Sequence, residues 1–188
     1  MRNKIRRKVF TTIFCLVCNV FVFVDKGLVD NINNFDNFKT FKDLCENKDQ
    51  VSNDIRHTVE ELLLVTRTSD CTIAQEKLSK ARYLPFNNRG ISNLLPLSFF
   101  PNFTKLNLTS NQIVDIKPLK KLTKLTELGI SDNNISDISP LRNLTNLTTL
   151  SASRNQIVDV SPLKNRSCYK VVEQIKSEKN RKLIPIDK

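Results

Sequence analysis

Glycine is scarce in this 188-residue chain: there are three, Gly27, Gly90 and Gly129. Glycines so few and so widely spaced cannot form the Gly-rich loop that cradles a phosphate, which argues against a nucleotide-binding design. Tryptophan is absent, and the single histidine, His57, has no second imidazole with which to share a metal. It stands beside Arg56 in a helical stretch and reads as a surface position. No metal-ligand cluster, nucleophile elbow or paired-carboxylate motif is present, so the sequence points away from an enzyme and implies no cofactor.

The formal net charge is +11, and almost all of it lies at the ends. Residues 1–8 carry a net +5 and residues 164–188 another +5, leaving +1 for everything between. The basic start reads as part of an export signal and the basic end as a solvated tail. Neither end interleaves aromatics with base-reading side chains, so nucleic acid is not an expected partner.

What the chain has instead is a repeat. Phe103, Leu125 and Leu147 align at a step of 22, and Leu106, Leu128 and Leu150 follow in phase. Further columns are Leu108, Ile130 and Ala152; Ile113, Ile135 and Ile157; and Ile116, Ile138 and Val160. Pro118-Leu119, Pro140-Leu141 and Pro162-Leu163 close the units. Alternation in Lys105-Leu106-Asn107-Leu108-Thr109 predicts a half-buried strand. A fixed 22-residue period with this order predicts a leucine-rich-repeat solenoid, an α/β repeat fold with parallel strands on the concave side. A structural ladder of Asn111, Asn133 and Asn155 is expected where the chain leaves each strand, bonding backbone groups of its own coil and the next. Asp115, Asp137 and Asp159, three residues before a proline, are expected to cap short 3₁₀ turns on the convex side, with proline in the first position.

The run Ile113-x-Asp115-Ile116-x-Pro118-Leu119-x-x-Leu122-Thr123-x-Leu125-Thr126-x-Leu128 resembles the repeats of internalins. It is similar also to those of related small secreted bacterial, cyanobacterial-type, leucine-rich-repeat proteins. The likeness extends to an amino-terminal cap, through Phe38-x-x-Phe41-x-x-x-Cys45, Thr58-Val59-Glu60-x-Leu62-Leu63 and Asp70-Cys71-x-x-Ala74-x-x-x-Leu78. A solenoid end exposes its core, so a cover is required. Phe35, Phe38, Phe41 and Leu44 form a helical stripe, Ser52 is expected to cap the next helix, and Thr68-Ser69-Asp70 the third. The resemblance implies a disulfide between Cys45 and Cys71; the alternative is two buried free thiols.

The resulting division is 1–24, an export signal; 25–36, a linker; 37–80, the helical cap; 81–166, four coils; and 167–188, a short cap and basic tail. The first coil is irregular: Ala81, Leu84, Phe86, Ile91, Leu94 and Leu97 keep the step, but Arg89 replaces asparagine and Pro85 enters the strand. Residues 9–24 form an uncharged apolar run after a basic start. No small-residue cleavage site follows it, so an uncleaved signal anchor stays open beside a cleaved signal. Cys168 is unpaired in this scheme, consistent with a monomer bearing a free thiol or with a linked dimer.

Function is expected on the concave strand face. Its candidate partner-binding residues are Tyr83, Lys105, Asn107, Thr109, Glu127, Ser131, Asp132, Thr149, Ser151, Ser153 and Arg154. The resemblance implies a protein partner and no catalysis, with the membrane involved only through an uncleaved amino-terminal segment. The other reading is an envelope-associated scaffold without a specific ligand. Lys117, Lys120, Lys121 and Lys124 cluster on the convex side and read as a solvated face.

Overall fold

The computed structural model describes residues 10–14, 21–25 and 35–163. Strands β1 (Phe10–Phe14) and β2 (Phe21–Asp25) pair antiparallel, with Phe14 opposite Phe21. The remainder of the expected export signal and linker lies outside the described residues, as do Cys168 and the carboxy-terminal cap. No helix among the described residues is long and apolar enough to cross a membrane.

Three helices cover the solenoid's first coil: α1 (Phe41–Glu46), α2 (Asn53–Thr66) and α3 (Cys71–Lys80). The phenylalanine stripe is not one helix. Phe35–Asn37 is a separate 3₁₀ turn, and α1 starts anew after Thr40. The cause is a capping box: Thr40 Oγ1 accepts from the Asp43 amide while Asp43 accepts from the Thr40 amide, each at 3.0 Å. Phe41, Leu44 and Cys45 are buried, and Phe35 and Phe38 pack partly buried beside them.

At the start of α2 the sequence expectation needs correction. Ser52 occupies the cap position, but its hydroxyl makes no cap bond and donates to the Asp54 carboxylate instead. Asp70 does cap α3, accepting from the amides of Thr72 at 2.8 Å and Ile73 at 2.9 Å. Cys45 and Cys71 form a disulfide between α1 and α3, with Cα atoms 5.8 Å apart. Closing a loop of 26 residues contributes about 3 kcal/mol by restricting the unfolded chain.

Strands β3 (Tyr83–Pro85), β4 (Lys105–Asn107), β5 (Glu127–Gly129) and β6 (Thr149–Ser151) form one parallel sheet in chain order. Leu84, Leu106, Leu128 and Leu150 stand directly opposite one another across it. This register is the 22-residue step expressed in space, and all four leucines are buried. Pro85 is tolerated because its position in the first strand needs no donor toward β4. Behind the sheet, the isoleucine and leucine columns stack into one continuous core that runs into the cap through Phe41, Phe100 and Phe103.

Each coil returns through a 3₁₀ turn: Leu95–Phe99, Lys117–Lys121, Ser139–Asn143 and Ser161–Leu163. Asp115, Asp137 and Asp159 accept from the first amide of the turn that follows, at 2.7–2.8 Å. The proline falls on the second position of the turn, one later than expected, because Lys117, Ser139 and Ser161 come first.

Candidate partner-binding face

Side chains alternate along each short strand, so the residues flanking the buried leucine point away from the core. On β4 these are Lys105 and Asn107; on β5, Glu127 and Gly129; on β6, Thr149 and Ser151. Together with Tyr83 and Thr109 they line a shallow hollow of about 270 Å³, floored by Leu106 and Leu128. The parallel register brings these seven candidates together from four coils.

Gly129 lets the hollow form. A methyl group there would come within 3.1 Å of Asn107 Oδ1 and 3.2 Å of Thr109 Oγ1. Asn107 therefore folds across the missing side chain, and its Oδ1 accepts from the Thr109 amide at 3.1 Å. Tyr83 stands 54% exposed at the cap end of the face and is its only large exposed hydrophobic residue among the described ones. The charges are matched from coil to coil: Lys105 Nζ lies 2.6 Å from Glu127 Oε1.

Four candidates lie at the rim, outside the hollow. Asp132 and Arg154 form a two-pronged ion pair between successive coils, Nη2 to Oδ2 at 2.6 Å. The hydrogen bonds from Arg154 hold the Asp132 carboxyl below the usual carboxylate range. Ser153 donates to Ser131 at 3.1 Å, and Ser131 is buried. That corrects one expectation: Ser131, packed against Ser153 of the next coil, presents little to a partner, whereas Thr109 and Ser153 in the same column stay half-buried, and beyond this column the backbone twists.

The twist has a regular cause that the leucine pattern hides. Asn88, Ser110, Asp132 and Arg154 all adopt positive φ, between 51° and 58°, at the same 22-residue step. The left-handed turn aims the amides of Asn88, Ser110 and Asp132 at carbonyls of the following coil, Thr109, Ser131 and Ser153, at 2.9–3.0 Å. No glycine marks this column, so sequence inspection passes over it. These bonds offset a conformational cost of about 1–2 kcal/mol per residue.

The asparagine ladder follows immediately. Asn111 Oδ1 accepts from the amides of Arg89 and Ile91, and Nδ2 donates to the carbonyls of Phe86 and Leu108. Asn133 accepts from Ile113 and donates to Leu108 and Ile130; Asn155 accepts from Ile135 and donates to Ile130 and Ala152. The ladder thus bonds its own coil and the preceding one, the reverse of the expected direction. His57 is also not a surface position: its Nε2 lies 2.8 Å from the Arg89 carbonyl oxygen, at the joint of cap and solenoid.

A family model for leucine-rich repeats, two copies, matches residues 123–165. The structure is similar to internalin F of Listeria monocytogenes, with 38% identity and a TM-score of 0.54 over 58% of this chain and 33% of that one. Internalin C2 of the same species aligns at 41% identity with a TM-score of 0.48, over 51% of this chain and 43% of that one. No curated protein matches the sequence. Stacked parallel strands, 3₁₀ returns and the match over residues 123–165 show a leucine-rich-repeat solenoid fold. Its repeats are internalin-like, and the chain spans less than half the length of either of these two internalins.

Proposed function

We propose that the chain is an exported, non-catalytic module that binds a protein through its concave strand face. The hollow across the four strands carries this reading. Its hydrogen-bonding groups stand on backbone fixed by the sheet, so little order is lost when a partner meets them. Paired charges leave the face close to neutral, which favours recognition by shape and hydrogen bonds over attraction at long range. Tyr83 is the one residue of the hollow with the size and chemistry of a binding hot spot. A partner therefore anchors at the cap end and extends along β4 to β6. Export is supported by the basic start and the uncharged apolar run over residues 9–24.

The test is site-directed photocrosslinking in the native cells. A photoreactive residue replaces Asn107, Thr149 or Ser151 on the strand face, and Ser139 or Arg142 on the convex side serves as control. Adducts of one discrete mass from the strand positions alone are expected. Adducts confined to the convex side, or none from the strand face, overturn the proposal. Intact mass of the exported fraction reports on the signal: a soluble chain shortened by about 25 residues supports cleavage, and a full-length chain held in membranes favours the anchored scaffold.

A further inference from the structure

A second hollow, of about 360 Å³, lies on the convex side, between the 3₁₀ turns Leu95–Phe99 and Lys117–Lys121. One wall is apolar. Phe35 enters from the cap and packs at a tilt against Phe99 with ring centroids 5.3 Å apart, and Leu94, Leu95 and Pro118 join it, while the polar Ser92, Asn93 and Ser98 also line the hollow. The other wall is cationic, formed by Lys117, Lys120 and Lys121. Among the described residues Asp115 is the one carboxylate lining the hollow, and it is engaged with the Lys117 amide at 2.8 Å. No carboxylate pairs with Lys120 or Lys121 among the described residues.

The repeat supplies its own control. The columns holding Lys117, Lys120 and Lys121 hold Leu95, Ser98 and Phe99 one coil earlier, and Ser139, Arg142 and Asn143 one coil later. Nothing in the stacking of 3₁₀ turns asks for lysine there. The same 22-residue register that sets three ammonium groups on one turn sets Leu95 on the turn beside it. A volume of this size, mostly apolar with a few charged groups at one side, has the character of a small-molecule site.

We propose that this hollow binds an anionic amphiphile with a single aliphatic chain, of the long-chain fatty acid class. The carboxylate head meets Lys117, Lys120 and Lys121, and the chain lies on Phe35, Leu95 and Pro118. A simple inorganic anion leaves the apolar wall wet, and an uncharged hydrocarbon leaves the lysines unused. Only a ligand with both parts matches the two walls. The site is separate from the strand face and does not depend on its partner.

The test uses the full chain and cis-parinaric acid, a fatty acid that fluoresces when shielded from water. Saturable binding of one molecule per chain is expected, weakened by salt because the head contact is ionic. The double variant K120E/K121E is expected to lose at least about tenfold in affinity, equivalent to about 1.4 kcal/mol. L95N is expected to lose affinity as well, while V158A, at an exposed position away from both hollows, binds as the unaltered chain does. Melting curves establish that each variant is folded; these side chains lie at the surface or half-buried, so folding is retained. Equal binding of the methyl ester, or K120E/K121E binding unchanged, overturns the proposal. Binding only to vesicles of phosphatidylglycerol, with none to the free acid, also overturns it and marks the lysines as a membrane-facing patch.

Discussion

Arg89 Nη1 and Glu61 Oε2 meet at 2.6 Å across the joint between cap and solenoid. Arg89 occupies the ladder column that holds asparagine in every later coil. A ladder asparagine bonds backward to the preceding coil, and the first coil has no coil before it. Its neighbour on that side is helix α2, which the longer arginine side chain meets at Glu61. The guanidinium also lies 5.9 Å from the Phe86 ring, and the backbone carbonyl of the same residue faces His57. Arg89 is thus a ladder residue adapted to a helical neighbour.

Arg89→Ala should therefore cost about 1.5–3 kcal/mol, the range for a hydrogen bond to a charged group that is partly sheltered. Urea unfolding of Arg89→Ala, Glu61→Gln and the double variant provides the measurement. A coupling of more than about 0.5 kcal/mol is expected between the two sites. Strictly additive losses would show that the contact contributes nothing to joining cap and repeats.

Asn133→Ala should cost about 1–3 kcal/mol, because the buried Ile113 amide loses its acceptor and the Leu108 and Ile130 carbonyls each lose one of two donors, keeping those from Asn111 and Asn155. Asn133→Asp separates the two halves of the contact. A carboxylate still accepts from Ile113 but has no hydrogen to give the two carbonyls, so a loss at least as large is expected at neutral pH. If Asn133→Asp unfolds at the same urea concentration as the native chain, the donor half of the ladder is dispensable.

Much of this architecture was legible in the leucine columns, and the reason is physical. A solenoid repeats one local solution, so a period of 22 fixes strand, core and return turn together. Where the chain departs from repetition, legibility fell. Thr40 and Asp43 break the phenylalanine stripe through a local bond that spacing alone does not reveal. Ser131 shares its column with the half-buried Thr109 and Ser153, and alternation gives no sign that it alone is covered, packed against Ser153 of the next coil. His57 gains its partner from a residue 32 positions away, which no local pattern encodes. The hollow at Gly129 was hidden for a different cause: it arises from a side chain that is missing.

Asp54 gives the cap a dependence on pH. Burial raises its pKa, but hydrogen bonds from Ser52, Asn93 and the Ile55 amide outweigh that, and the carboxyl ends below its ordinary value. A depressed folded pKa means that protons bind the unfolded chain more readily. The stabilisation is full above the unfolded value of about 3.9 and is lost as pH falls through the folded value. Asp54→Asn should therefore lower the melting temperature at neutral pH and change it little in strong acid. Parallel melting curves for the two chains across the whole acid range would mean that Asp54 is not held by these bonds.

Leu128 and Ser151 test which side of the sheet is the core. Leu128 is buried between Leu106 and Leu150, in register with both. Leu128→Ala removes the middle of that stack, where neighbours on both sides are fixed by the sheet and cannot close the gap, so a loss of about 2–5 kcal/mol is expected. Ser151 lies exposed one position along the next strand, and Ser151→Ala should stay within about 0.5 kcal/mol of the native chain. A one-residue slip in register would exchange the two effects, because side chains alternate faces along a strand. A small loss at Leu128 with a large loss at Ser151 would therefore invert the face, and the hollow lined by Asn107, Glu127 and Thr149 would then lie in the core and be closed to any partner.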